Sequence, residues 1–229
     1  MAENIGEQLH IKVQAFKKWA EINYPDITEE NDSGEWCFGR EFDEMHSAAV
    51  EMIRSCPVSA ASEENISDLL YAVARDSESE IIADVLDDHD GWFARLCGKC
   101  LSYPYTNAKW QFAKRLKDHS GGELKDLIYD FLSAGDEYTE RMALDSLAYI
   151  CPEQAERYAL RFWDRNIYEH DEYQKIMVLH VLYQTGSGHL EEYLTKAESS
   201  DSVYLKKNAE AIREKMRADG GMIAAAAAE

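Results

Sequence analysis

Apolar residues return along most of this chain every three or four positions, with polar residues between them, the periodicity of helices that each bury one face. Ile5, Leu9, Val13, Phe16 and Ala20 set a first helix over residues 5 to 23, closed by Tyr24-Pro25. Phe42, Met45, Ala49, Met52 and Ile53 set a second, which stops before Pro57. Ser62-Glu63-Glu64-Asn65 reads as the N-terminal cap of a third that carries Ile66, Leu69, Leu70 and Val73. Asp76-Ser77-Glu78-Ser79 opens a fourth, and Asp87 to Gly91 break it before Trp92, Phe93, Leu96, Cys97 and Leu101. The spacing then predicts helices over 107–118, 122–134, 137–149, 153–164, 171–184, 188–198 and 202–217. No run alternates with period two over the length of a strand, so the fold class is all-α. The least periodic connection runs from Asp26 to Gly39.

One stretch repeats. Asp136-Glu137-Tyr138, followed by Met142, Leu144 and Leu147, returns 35 residues later as Asp171-Glu172-Tyr173 with Met177, Leu179 and Leu182, and a fainter copy starts at Asp201. Each copy is an acidic turn leading into an amphipathic helix, and such a period is the mark of stacked helical pairs that cannot bury their apolar faces alone. The expected architecture is an α-solenoid of antiparallel helix pairs. It forms a single domain over 1–219, with an N-terminal cap helix, followed by a low-complexity tail over 220–229.

The pattern of acidic turn, basic residue, small apolar pair and Leu, as in Asp136-Glu137, Arg141, Ala143-Leu144 and Leu147, resembles HEAT-like repeats of the short bacterial type, an armadillo-type fold. The likeness covers residues 105 to 216. Tyr138 and Tyr173 in the opening turns, and the scarcity of glycines between helices, depart from it. The resemblance implies a protein-binding scaffold, or, as the alternative, a HEAT-like DNA-repair enzyme of the DNA glycosylase type.

Charge bears on that choice. The 44 Asp and Glu against 24 Lys and Arg give a formal charge of −20, spread over most helices. Such a field repels phosphate backbones and anionic lipid and attracts basic protein surfaces. No nucleic acid and no membrane are therefore expected as partners. The start of the chain lacks a basic segment followed by an apolar one, and no stretch reaches the ~20 apolar residues that span a bilayer, so a cytoplasmic protein is expected. Five cysteines, irregularly spaced, fit reduced thiols better than a disulfide framework.

Motifs that carry chemistry are scarce. Cys97-Gly98-Lys99-Cys100 has the spacing of half a zinc site, but no second pair exists, and at i,i+3 on a helix both thiols face one way, towards a core. Asp87-Asp88-His89-Asp90-Gly91 resembles a calcium loop, yet with Gly91 at loop position six the first and last positions fall on Leu86 and Cys97, where carboxylates are required. The seven histidines, His10, His46, His89, His119, His170, His180 and His189, form no H-E-x-x-H motif and pair with no nucleophile in the sequence. No metal, no cofactor and no catalytic residue is expected.

The second helix of each pair in a solenoid lines the concave side, which places Asp126, Tyr129, Asp130, Glu153, Glu156, Arg157, Glu191 and Glu192 in one acidic groove with Tyr129 as its aromatic anchor. The expected function is a non-enzymatic, monomeric scaffold for a basic protein partner, such as an inhibitor or immunity-type protein that neutralises a basic toxin or nuclease.

Overall fold

The computed structural model describes residues 2–25, 39–119, 121–168 and 171–226. Most of the expected connection from Asp26 to Gly39, together with Cys37 and His170, lies outside the described residues. Among the described residues the chain forms twelve α-helices, two short 3₁₀ segments and no strand, and no helix is long and apolar enough to cross a membrane. Two compact units divide it, Met1–Ala143 and Leu144–Glu229.

In the first unit, α1 (Ala2–Asn23) packs on α2 (Arg40–Ser55) and α3 (Glu63–Arg75). Leu9, Val13 and Phe16 meet a core that includes Phe42, Met45, Met52, Ile66, Leu69 and Leu70, all buried. The cap expected at Ser62 is present and reciprocal: Ser62 Oγ accepts from the Asn65 amide at 3.1 Å, and Asn65 Oδ1 accepts from the Ser62 amide at 3.2 Å. Asn65 Nδ2 also donates to the Gly6 carbonyl at 3.2 Å, and a Cβ on Gly6 would lie 2.7 Å from Asn65 Oδ1, so a side chain there would push α1 off α3. From Leu69 to Arg75 every residue of α3 is buried, as a helix apolar on all sides requires.

α4 (Ile81–Asp87) starts later than expected. The Asp76 carboxylate accepts from the Ile82 amide at 2.7 Å and from Ser79 Oγ, spanning the residues that would have made the first turn. Glu80 closes this loop at φ 54, a left-handed conformation that a non-glycine residue seldom adopts. α5 (Asp90–Cys100) and α6 (Thr106–Arg115) follow. The helix expected over 122–134 is instead a 3₁₀ segment, Gly122–Leu127, and the single turn of α7, Ile128–Phe131. Leu124 and Leu127, then Ile128 and Phe131, recur every third residue, which a three-residue turn aligns better than a 3.6-residue one. Gly122, at φ 62 with no side-chain cap before it, supplies no α-helical start.

α8 (Glu137–Ile150) spans the division between the units. The second unit continues with α9 (Pro152–Trp163), α10 (Asp171–Gln184), α11 (Leu190–Glu198) and α12 (Val203–Ala226). α10 packs on α9, α11 and α12, burying Val178, Leu179, Val181 and Leu182. α12 runs past the expected end at 217 through Gly220-Gly221 to Ala226, because the alanines that read as low complexity are also strong helix formers.

Candidate functional site

Asp126, Tyr129 and Asp130 belong to the first unit. Ile128, Phe131 and Leu132 turn into the core there, which leaves Tyr129 37% exposed, with Asp126 and Asp130 exposed beside it. Ser133 Oγ donates to the Tyr129 carbonyl at 2.9 Å and fixes the end of this turn.

Glu153, Glu156, Arg157, Glu191 and Glu192 belong to the second unit, and most are engaged within it. Ser187 Oγ donates to Glu156, and Arg157 Nη1 reaches Gln154 Oε1 at 3.4 Å. Arg213 Nη1 donates to Glu191 at 2.9 Å, and Lys196 Nζ pairs with Glu192 at 2.7 Å. The bond from Lys196 holds the Glu192 carboxyl below its ordinary range. Glu153 is exposed in the first turn of α9, where a carboxylate meets the positive end of the helix dipole.

Sequence reasoning missed a denser acidic site in the first unit. Between Glu78 and Asp90 stand Glu78, Glu80, Asp84, Asp87, Asp88 and Asp90. Arg115, only 7% exposed, rises from α6 among them. Its Nη1 donates to Glu80 at 2.6 Å, its Nη2 to Asp84 at 2.5 Å and its Nε to Asp87 at 3.1 Å. Lys114 Nζ takes both oxygens of Glu80, at 2.9 and 3.0 Å. His119 lies flat on Phe93, ring centres 3.8 Å apart, with Nε2 3.1 Å from Asp87 Oδ1 and Nδ1 3.2 Å from Asp90 Oδ1. Lys114 and Arg115 neutralise two of the six carboxylates, and the Asp84 and Asp90 side chains remain 65% and 94% exposed. Ile81 stands beside them at 48% exposure. The legible signal was the spacing of 80, 84 and 87, which faces one side of a helix. The helix break read over Asp87 to Gly91 narrows to Asp88 and His89, between the end of α4 at Asp87 and the start of α5 at Asp90.

The excess of carboxylates is uneven. Met1–Ala143 holds 29 acidic and 14 basic residues, a formal charge of −15, and Leu144–Glu229 holds 15 and 10, a formal charge of −5.

Among the described residues no group of histidine, cysteine and carboxylate side chains is arranged to hold a metal ion. Cys97 and Cys100 are fully buried in α5, and burial pushes the Cys97 thiol up to about 12 and raises that of Cys100 too, the opposite of an activated nucleophile. His10 Nδ1 bonds Asp68 Oδ2 at 2.9 Å and ties α1 to α3. His180, the counterpart of Asp145 in the repeat, is half-buried and meets Asn208 Oδ1 at 3.3 Å through Nε2, joining α10 to α12. Compared with family models, curated proteins and solved structures, the chain matches none of them.

Proposed function

We propose that this chain is a non-enzymatic protein-binding scaffold whose acidic surface receives a basic protein partner, in the manner of an inhibitor or immunity-type protein for a basic toxin or nuclease. The observation that carries the reading is the charge of −15 on the first unit, a large part of it on exposed carboxylates between Glu78 and Asp90 and around Tyr129. Carboxylates fixed by Arg115 and His119 keep one arrangement before the partner arrives, so less side-chain freedom is lost on binding. Exposed carboxylates speed the encounter with a basic surface, and an aromatic side chain among them supplies the desolvated contact that fixes the complex. HEAT-like helix pairs are part of the same proposal, supported by the 35-residue echo and by the all-helical fold, and so is a cytoplasmic setting.

Affinity capture on the purified chain, followed by binding measurements with the recovered partner, tests it. The partner should be basic. Tyr129→Ala should cost about 1–3 kcal/mol of affinity, and Asp126→Asn with Asp130→Asn should slow association and flatten its salt dependence. Unchanged affinity and salt dependence in both would remove this surface from the proposal. Strong DNA binding in a gel shift at low salt would favour the repair-enzyme reading instead.

A further inference from the structure

The chain's acidic character reverses at α12. From Val203 to Arg217 five cations, Lys206, Lys207, Arg213, Lys215 and Arg217, stand against Glu210 and Glu214, a local charge of +3 in a chain of −20. Leu205, Ala209 and Ile212 form the buried stripe of this stretch, which leaves Lys206, Lys207, Lys215 and Arg217 exposed. Arg213 is committed inside the unit, to Glu191 and Glu198. Apolar groups accompany the exposed cations: Val203 is 60% exposed, Tyr204 59% and Met216 37%. Cations mixed with apolar tips suit a carboxylate surface that carries apolar groups of its own, and such a surface lies in the same chain, at Asp84, Asp88, Asp90 and the exposed Ile81.

We propose that the outer face of α12 docks onto the acidic first unit of a second copy of this chain, joining copies head to tail. Two different patches meet in such a contact and each copy carries one of each, so copies join into a closed ring or an open chain and mass rises with concentration. Charge carries the encounter, so salt weakens it as the Debye length shrinks from about 10 Å at 0.1 M towards about 3 Å at 1 M. The monomer expected from the sequence is then the dilute or high-salt form. A basic partner on the first unit would compete with this contact.

Sedimentation velocity of the full chain over a concentration series, at low and at high salt, tests the proposal. The wild type should gain mass with concentration at low salt and lose the gain at high salt. Reversing the four exposed cations, Lys206→Glu, Lys207→Glu, Lys215→Glu and Arg217→Glu, should weaken self-association about tenfold or more while leaving the helical circular dichroism unchanged. A second variant, Asp88→Lys with Asp90→Lys, should also self-associate less, and mixing the two variants should restore association, because the reversed α12 of one then meets a reversed first unit on the other. A wild type that stays monomeric across the low-salt series overturns the proposal. So does association that survives the α12 reversals, or one that requires an added oligonucleotide.

Discussion

Arg115 is charged and nearly out of water, a state that costs free energy unless its partners repay the lost hydration. Burial lowers its pKa, but the hydrogen bonds it donates to Asp84 and Glu80 more than offset that, and the guanidinium is held above its ordinary range. Arg115→Met keeps most of the stem and removes the charge, leaving Glu80, Asp84 and Asp87 to repel one another and Glu80 without one of its holds in the left-handed region. Because Asp84 and Asp87 keep contact with water, the loss should fall short of the ~3–5 kcal/mol of a fully buried pair, at about 2 kcal/mol in urea denaturation. An unchanged midpoint would mean that the network contributes nothing to folding. Asp68 gives the opposite case. Burial raises its pKa against the bond from His10, so the folded chain binds this proton more tightly than the unfolded chain. Its favourable contribution is complete below the ordinary value of 3.8 and is lost as pH rises through the raised one. Asp68→Asn retains an oxygen to meet His10 and cannot ionise, so the variant should gain stability relative to wild type as pH rises from about 3 to 7. Urea midpoints of both proteins across that range check the sign, and a difference that grows towards acid would contradict it.

At the scale of elements, the two repeats share a defect as well as a pattern. Thr139 and Gln174 occupy equivalent positions in the opening turns of α8 and α10; both are fully buried, and among the described residues neither Thr139 Oγ1 nor either amide atom of Gln174 has a hydrogen-bond partner. A buried polar atom without a partner costs about 1–3 kcal/mol, so Thr139→Val and Gln174→Met should each raise the thermal midpoint, provided the apolar replacement fits the same volume. A fall in both variants would mean that ordered water satisfies these atoms. The spacing that revealed the repeat also placed the helices well: α10 begins and ends where its apolar period does, and α8 and α9 agree with theirs to within a residue. Over 122–134 the same reasoning failed because a three-residue apolar recurrence fits a 3₁₀ turn and an α-helix almost equally. Tyr129 was legible as a side chain off the buried face because that depends only on local period. The Arg115 and His119 network was not, since its partners lie 28 to 35 residues away in sequence and only packing brings them together.

For the whole molecule the question is whether ion pairs or repulsion dominates its electrostatics. Surface pairs such as Lys12–Glu44, Lys99–Glu63 and Lys196–Glu192 contribute little to folding, because water screens them, and they weaken further with salt. At most 24 carboxylates can be matched one to one with Lys or Arg, and 20 remain in excess, most of them in the first unit. Repulsion among unmatched charges disfavours the compact state and is also screened by salt, so the two effects pull the stability in opposite directions. The imbalance decides in favour of repulsion: stability should rise when sodium chloride is increased from about 20 to about 200 mM. The first unit, at −15, should respond more than the second, at −5. Tryptophan fluorescence separates them, because Trp19, Trp36, Trp92 and Trp110 belong to the first unit and Trp163, edge-on to Tyr193 at 5.0 Å, is the one tryptophan of the second. In urea, which carries no charge, the midpoint reported by a Trp163→Phe variant through fluorescence should shift upward with salt by more than the midpoint reported by circular dichroism, which averages both units. The measurement belongs at protein concentrations low enough that copies do not associate. A midpoint that falls with salt by both probes would show that the ion pairs outweigh the excess charge, and that the acidic surface is a stabilised structural feature instead of a strained one kept for a partner.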